Sequence, residues 1–162
     1  MDDQANTGPG MTDAALAVHP TVYAADALRG QVVIVSGGAG GIGRAIAWLL
    51  ARLGAHVVMV GRNQARLDAL AAELVSRGLR ASAEVADIRE PDAVDALFDK
   101  VWTAHGRIDS LVNSAGGQFP QAAIDFSVKG WNTVINTNLN GTWYMMQAAA
   151  KRWRDHRHPG SI

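Results

Sequence analysis

The chain of 162 residues contains no cysteine, which excludes disulfide bonds, thiolate nucleophiles and cysteine-ligated metal sites. It also has no excess of charge, because fifteen basic side chains balance fifteen acidic ones. Without a net field, binding to nucleic acid or to an anionic membrane is not expected. The first residues lack a secretory signal, and no apolar run is long enough to cross a bilayer. These absences predict a cytoplasmic protein.

The remaining composition is typical of one globular domain. Apolar residues make up 48% of the chain and charged residues 19%, and a chain of this length normally folds around a single core. Residues 1–22 are small, polar and aperiodic, which predicts a flexible N-terminal tail. The folded domain is therefore predicted to cover residues 23–162.

From residue 31 onward, apolar strands alternate with helices. Strands are predicted at 32–35, 57–60, 81–86 and 108–112, and helices at 42–53, after Asn63 and from Pro91. Residues 127–157 fit either two consecutive helices or one helix kinked near 138–141. Continuously apolar strands indicate a parallel sheet covered on both faces, and right-handed crossovers make it doubly wound. We predict an α/β fold with an incomplete, Rossmann-like sheet that ends before the fifth strand. Ser161 and Ile162 resemble the start of that strand.

A glycine-rich loop, Ser-Gly-Gly-Ala-Gly-Gly-Ile-Gly, joins the first predicted strand to the first predicted helix. Such a loop lets backbone N–H groups and a helix N-terminus approach a pyrophosphate. Gly37 permits a sharp exit from the strand, whereas a Cβ at Gly41 or Gly43 would intrude on the diphosphate or the neighbouring strand. The loop predicts a nucleotide cofactor, bound by Ser36, Gly37, Gly38, Ala39, Gly40, Gly41, Ile42 and Gly43.

The end of the second predicted strand indicates which cofactor binds. An acidic residue there binds the ribose 2′-OH of NAD, whereas an arginine accommodates the 2′-phosphate of NADP. The sequence has Arg62 at this point and no carboxylate, and Arg44 offers a second cation after the glycines. The alternative is that both arginines are solvated surface residues. We predict NADP(H), with Arg44 and Arg62 among its ligands.

Two further strand ends carry candidate binding residues. Asp87 is placed to accept a hydrogen bond from an adenine amino group, with Ile88 giving backbone contact, although an aspartate there also fits a turn or cap. After the fourth strand, small residues leave room for the cofactor's ribose. Asn113 fits either a binding role or a structural bridge between strands. These positions add Asp87, Ile88, Asn113, Ala115 and Gly116 to the predicted site.

Four motifs together resemble the short-chain dehydrogenase/reductase family. They are the glycine loop, the Asp87-Ile88 pair, Asn113-Ser114-Ala115-Gly116, and Asn136-Thr137-Asn138-Leu139 with Gly141-Thr142. The resemblance covers residues 30–162. Ser36 stands where threonine is usual, and Ser114 where a second asparagine is usual. Within the family, residues 116–119, 129–131 and 138–145 look most like trans-2-enoyl-CoA reductases of the peroxisomal type.

The resemblance implies a catalytic serine, tyrosine and lysine assisted by an asparagine. Only the asparagine maps onto this sequence, at Asn138, where it would kink a helix so that a backbone carbonyl holds a water; an asparagine at a plain helix break is the alternative. Neither Tyr23 nor Tyr144 is followed four residues later by the lysine that lowers a phenol's pKa. The chain is therefore expected to be a C-terminally truncated member of the family, inactive on its own.

The implied activity is an NADPH-dependent reduction of trans-2-enoyl-CoA in fatty acid and lipid metabolism. Two alternatives stay open: a dehydrogenase of an alcohol or 3-hydroxyacyl substrate, and a nucleotide-binding module without turnover. The expected partner is a small molecule, an acyl-CoA thioester in the main reading, and full-length relatives are expected to be homo-oligomers. A eukaryotic source would imply a peroxisomal location. No metal is predicted, since His156 and His158 do not share a helical face and no carboxylates cluster.

Overall fold

A computed structural model describes residues 10–162. The strands are β1 (Val32–Ser36), β2 (His56–Gly61), β3 (Arg80–Val85) and β4 (Ser110–Asn113). The helices are α1 (Asp13–Val18), α2 (Gly41–Arg52), α3 (Gln64–Ser76), α4 (Pro91–His105), α5 (Val128–Ile135) and α6 (Thr142–Asp155). A 3₁₀ turn covers Ala123–Asp125, and a π-helical segment, Asn136–Gly141, lies between α5 and α6.

The four strands form one parallel sheet in the order β3-β2-β1-β4, which confirms the predicted doubly wound fold. Because all strands are parallel, their carboxyl ends lie at one edge of the sheet and their amino ends at the other. Ser161, predicted to begin a fifth strand, makes a single parallel bridge to Ser110. The amide of Leu111 donates to the carbonyl of Ser161 at 2.9 Å.

Two apolar clusters pack on the two faces of the sheet, since alternate β1 side chains point to opposite sides. Ile34 lies in one cluster with Phe98 of α4 and Met145 of α6. Val35 lies in the other cluster with Trp48 of α2. Burial on both faces explains why β1 and β2 read as continuous apolar runs rather than as alternating ones.

Local signals set most helix ends. The Asn63 side chain accepts a hydrogen bond from the amide of Arg66 at 3.0 Å, as predicted for the start of α3. Pro91 opens α4, and Gly106 closes it with a φ of 69°. For residues 127–157 the second alternative holds: the backbone stays helical from α5 to α6, and the distortion is the π-helical segment.

Part of the predicted flexible tail is a helix. Thr12 caps α1, and Leu16 is buried against α2 with only 8% of its surface exposed. The indole nitrogen of Trp48 donates to Asp13 at 2.6 Å. The prediction of a tail was wrong for residues 13–18, because a helix of six residues is too short to show periodicity and depends on these tertiary contacts. Residues 1–9 of the predicted tail lie outside the described residues.

A helix that crosses a bilayer needs about 20 predominantly apolar residues. Within residues 10–162, no helix is both long enough and apolar enough to cross a membrane.

Candidate functional site

An open cleft with a volume of about 770 Å³ lies at the carboxyl edge of the sheet. Ligands bind at this edge in open α/β folds. The structure brings eleven of the predicted site residues to the cleft: Gly37, Ala39, Gly40, Gly41, Ile42, Gly43, Arg62, Asp87, Ile88, Ala115 and Gly116.

The glycines of the loop serve two different purposes. At Gly37 the φ angle is +68°, and a Cβ would lie 2.8 Å from the Cα of Ala115. At Gly43 a Cβ would lie 2.2 Å from the carbonyl oxygen of Gly37. Both positions therefore need glycine for packing within the protein itself. Gly41 differs, since a Cβ there would meet no described atom within 4 Å, yet the residue lines the cleft. Gly41 therefore leaves open space at the cleft rather than serving packing within the protein.

The N-terminus of α2 is electrostatically suited to an anion. Its N-cap is Gly40, which supplies no side-chain cap, and its first turn carries no acidic residue. Among the described residues, the amides of Gly41, Ile42 and Gly43 have no hydrogen-bond acceptor. Unpaired N–H groups and the helix dipole at this end both favour a phosphate. This geometry fits the diphosphate of a dinucleotide.

Three arginines and one carboxylate are the charged residues that line the cleft. Arg62, directly after β2, makes no ion pair or hydrogen bond to any residue of the described range. Arg66, in the first turn of α3, donates to the carbonyl of Ala39 in the glycine loop at 3.1 Å. The β2 end of the cleft is thus cationic, which fits the 2′-phosphate of NADP.

The structure does not bring Arg44 to the cleft. Its guanidinium forms an ion pair with Asp13 at 3.1 Å and donates to the carbonyl of Met11, so it lies against α1. The prediction that Arg44 contacts the cofactor rested on sequence proximity to the glycines. It did not anticipate that α1 would supply a carboxylate on the other side of α2.

Three other predicted residues lie beneath the cleft rather than in its lining. Ser36 is fully buried, and its hydroxyl accepts from the amide of Ala115 at 3.3 Å and donates to Asn113 at 3.5 Å. These contacts agree with the structural alternative for Asn113, whose Nδ2 is buried without a partner in the described part of the chain. Gly38 is packed too tightly for a side chain, since a Cβ would lie 2.9 Å from Met59.

Asp87 lies in the cleft, but its carboxylate is already paired with Arg89. The amide and the guanidinium of Arg89 both donate to the Asp87 carboxylate. The hydrogen bond from this guanidinium is the main reason that the pKa of Asp87 lies below its ordinary value, and the charge of Arg62 adds to the effect. The carboxylate is therefore ionised and held by its neighbour.

Asn138 ties the π-helical segment to the loop after β4. Its Oδ1 accepts from the amide of Gly117 at 3.1 Å, and its Nδ2 donates to the carbonyls of Gly117 at 2.8 Å and Val134 at 2.9 Å. Gly116 is part of this contact, because a Cβ there would lie 2.6 Å from Oδ1 of Asn138. The asparagine fixes the wall of the cleft beside β4.

The sequence reasoning missed several residues that line the cleft. Arg66 lies four residues after Arg62, in the first turn of the helix that Asn63 caps. This spacing places the two arginines near each other, so the position of Arg66 could have been inferred from the sequence. Arg89 follows Asp87 by two residues, but nothing in the sequence indicated that the two side chains pair. The full set is Val60, Gly61, Asn63, Arg66, Leu67, Ala86, Arg89, Ser114 and Thr137.

Residues that ligate metals do not gather anywhere within residues 10–162. Across the described range, no group of three or more histidine, cysteine, aspartate or glutamate side chains is arranged to hold a metal ion.

A family model described as short chain dehydrogenase matches residues 31–162. The chain therefore belongs to the short-chain dehydrogenase/reductase family, as its four motifs and its sheet topology indicate. The α1 helix lies outside the matched range.

Relatives within the family differ in what their names say they act on. A Bacillus subtilis protein named "Probable 2,4-dienoyl-CoA reductase" is 36% identical over 132 residues, covering 82% of this chain and 52% of that relative. The gluconate 5-dehydrogenase of Gluconobacter oxydans is 37% identical over 133 residues, covering 82% of this chain and 51% of its own length. This chain thus spans about half the length of the curated relatives that it matches.

The fold likewise matches solved structures of the family. A metagenomic short-chain oxidoreductase in complex with NADP superposes with a TM-score of 0.77 at 36% identity. That match covers 84% of this chain and 62% of the other.

Proposed function

We propose that these residues form the NADP(H)-binding part of a short-chain reductase that acts on trans-2-enoyl-CoA in fatty acid metabolism. The observation that carries the cofactor choice is Arg62. Its side chain lines the cleft at the end of β2 and has no hydrogen-bond or ion-pair partner within residues 10–162. The sequence also has no acidic residue at the end of β2. An unpaired arginine at this point favours a 2′-phosphate over a free 2′-hydroxyl.

Each wall of the cleft has a distinct part in holding the cofactor, which supplies a hydride when bound. The free amides of α2 bind the diphosphate, and Gly41 leaves room for it. Arg62 binds the 2′-phosphate, with Arg66 beside it on α3. Ala115 and Gly116 leave space for the nicotinamide ribose, and Asn138 holds this wall in place. The remaining role of Asn138, retention of a water at the helix distortion, is part of the same proposal.

The sequence segments after β4 support trans-2-enoyl-CoA as the substrate, and the dienoyl-CoA reductase relative supports the broader class of acyl-CoA thioesters. The gluconate dehydrogenase relative supports the alternative, a dehydrogenase of an alcohol substrate. Both activities use a nicotinamide cofactor and a small-molecule substrate. The two activities differ in the group of the substrate that reacts, which is an enoyl thioester in one case and a hydroxyl group in the other.

Turnover is not expected from these 162 residues alone. They contain no tyrosine followed four residues later by lysine, so the proton-donating pair of the family is missing from them. The test is to incubate the purified chain with NADPH and a trans-2-enoyl-CoA and to follow the absorbance of NADPH. We expect no change above background. Steady oxidation of NADPH that depends on the thioester would contradict the expected inactivity of these residues alone.

Titration of the chain with NADPH and with NADH tests the cofactor choice. We expect Arg62→Ala to weaken NADPH binding by roughly tenfold or more, because it removes a charge-assisted hydrogen bond to phosphate. NADH affinity should hardly change. Arg154→Ala is the matched control, since its exposed guanidinium pairs with Asp155 outside the cleft. Equal losses for both cofactors in Arg62→Ala, or tighter binding of NADH by the wild type, would overturn the choice of NADP.

A further inference from the structure

The first turn of α2 has few side-chain contacts of its own. Gly41 and Gly43 have no side chain, and the side chain of Ile42 is largely in solvent, with the residue 76% exposed. Glycine loses more conformational freedom on folding than any other residue, so a turn rich in glycine is costly to order. Arg44 closes this turn, because its amide donates to the carbonyl of Gly40 at 2.6 Å. Its long side chain is therefore placed to anchor the turn.

The anchor is α1. The Arg44 guanidinium pairs with the Asp13 carboxylate at 3.1 Å and donates to the carbonyl of Met11, which leaves 25% of the Arg44 side chain exposed. One turn further along α2, the indole nitrogen of Trp48 donates to the same carboxylate at 2.6 Å. Another turn on, the Arg52 guanidinium donates to a backbone carbonyl of α1 at 2.9 Å. These three α2 residues are spaced by four, so α1 holds one face of α2 from its first turn to its last.

The contacts with α1 can affect the cleft only through α2 itself, since no residue of α1 lines the cleft. The free amides of the first turn of α2 are the groups that bind the diphosphate in the proposed function. A ligand that meets a turn already held in place loses less free energy to ordering it. Contacts that hold the turn before the ligand arrives therefore strengthen binding without touching the ligand.

We propose that Asp13 is a positioning residue for the cofactor: through Arg44 it holds the first turn of α2 in the conformation that binds the diphosphate. This inference rests on the proposed cofactor function. It adds α1, a helix outside the range that the family model matches, to the parts of the chain that set cofactor affinity. Because NADPH and NADH share the diphosphate, Asp13 affects both equally, in contrast to Arg62.

The first test measures the affinity of Asp13→Ala for both cofactors. We expect NADPH and NADH to bind more weakly by the same factor, roughly fivefold, because the turn must be ordered on binding. On charge alone, loss of a carboxylate would tighten the binding of an anion, so the sign of the change separates the two effects. Asp26→Ala is the matched control, since it removes an exposed carboxylate between α1 and β1 and should leave both affinities unchanged. Unchanged or tighter binding in Asp13→Ala would overturn the proposal.

A double-mutant cycle tests whether Asp13 acts through Arg44. Arg44→Ala should also weaken both cofactors, and the combined variant should lose little beyond the larger of the two single losses. Single losses that multiply in the combined variant would show that the two residues act independently. That outcome would overturn the route through Arg44.

Hydrogen exchange on the wild-type chain tests the same coupling without any substitution. Coupling between two binding events is reciprocal, so saturating NADPH should slow amide exchange in α1 by about the same fivefold. Exchange in the last turn of α6, which does not line the cleft, should stay unchanged. Equal slowing in both helices would indicate stabilisation of the whole fold, and either that result or no slowing in α1 would overturn the proposal. This measurement decides even if Asp13→Ala does not fold.

The two levels of inference fail in different ways. A wild-type chain that binds neither NADPH nor NADH contradicts the proposed cofactor function. A chain that binds NADPH through Arg62, yet shows no change in Asp13→Ala and no slowing in α1, contradicts only the positioning role of Asp13.

Discussion

The amino and carboxyl edges of the sheet are both rich in polar groups, but the carboxyl edge leaves more of them without a partner among residues 10–162. At the amino edge, the Asp109 carboxylate accepts from the amide of Val32 at 2.7 Å and pairs with Arg107. Nearby, the ring of His56 lies 3.0 Å from the hydroxyl of Ser82. At the carboxyl edge, the first amides of α2 and the guanidinium of Arg62 have no such partners within the described range.

This difference separates polar groups that stabilise the fold from those available to a ligand. Unpaired N–H groups are unfavourable when they are shielded from water, so a protein leaves them open only where solvent or a ligand satisfies them. We therefore expect substitutions at the amino edge to change stability and those in the lining of the carboxyl edge to change binding. Gly43 is an exception, since it lines the cleft but is required for packing against Gly37.

The largest effect is expected from Gly43→Ala. The new Cβ would lie 2.2 Å from the carbonyl of Gly37, a backbone atom that cannot move without distorting the loop. We expect the free energy of unfolding, measured by urea denaturation, to fall by about 3 kcal/mol or more. Cofactor binding should be lost with the loop. A urea midpoint equal to that of the wild type would show that the loop can shift at little cost.

The amino edge should respond most to Asp109→Ala. This change leaves the β1 amide of Val32 without its acceptor and the guanidinium of Arg107 without its partner. We expect a loss of about 2 kcal/mol in the free energy of unfolding, with NADPH affinity of the folded protein unchanged.

The matched control for this change is Asp155→Ala, which removes an exposed partner of Arg154 and should leave the free energy of unfolding nearly unchanged. A change in NADPH affinity for Asp109→Ala would break the separation between the two edges.

Gly41→Ala should show the opposite behaviour from Gly43→Ala. The added methyl group meets no described atom within 4 Å, so the free energy of unfolding should stay equal or rise slightly. The methyl group would occupy space in the cleft, and NADPH affinity should fall by roughly tenfold. Isothermal titration calorimetry and urea denaturation on the same preparation measure both quantities. Wild-type affinity in this variant would show that the ligand does not approach Gly41.

The parts of the fold that were predictable are those set by nearby residues. The β1 strand, the glycine loop and α2 are defined by a continuous apolar run followed by glycines, and the Asn63 cap is read directly from the sequence. The π-helical distortion corresponds to one of the two alternatives for residues 127–157, a helix kinked near 138–141. In each case the residues that form the feature are close in sequence.

The parts that were not predictable depend on pairing between side chains. Arg44 is drawn to Asp13 of α1, and Arg66 takes the place beside the glycine loop that Arg44 was expected to fill. The Asp87 carboxylate is visible in the sequence, but its occupation by Arg89 depends on side-chain geometry. Distance along the chain from the glycine loop could not show which of these arginines lines the cleft.

The smallest effect concerns the charge state of His56 at the amino edge. Burial lowers the pKa of His56 from 6.5 to about 4, and the charges of His105 and Arg80 add to the shift. The unfolded chain then binds more protons than the folded one between these two values, so stability is complete above pH 6.5 and falls as the pH drops toward 4. Because His56 is only half-buried, we expect a loss of about 1 kcal/mol in the free energy of unfolding between roughly pH 7.5 and pH 5.

The variant His56→Gln should remove this part of the pH dependence in urea denaturation. The control His19→Gln, which replaces an exposed histidine, should keep it. An equal fall in His56→Gln and the wild type would mean that a group other than His56 controls the loss of stability in acid.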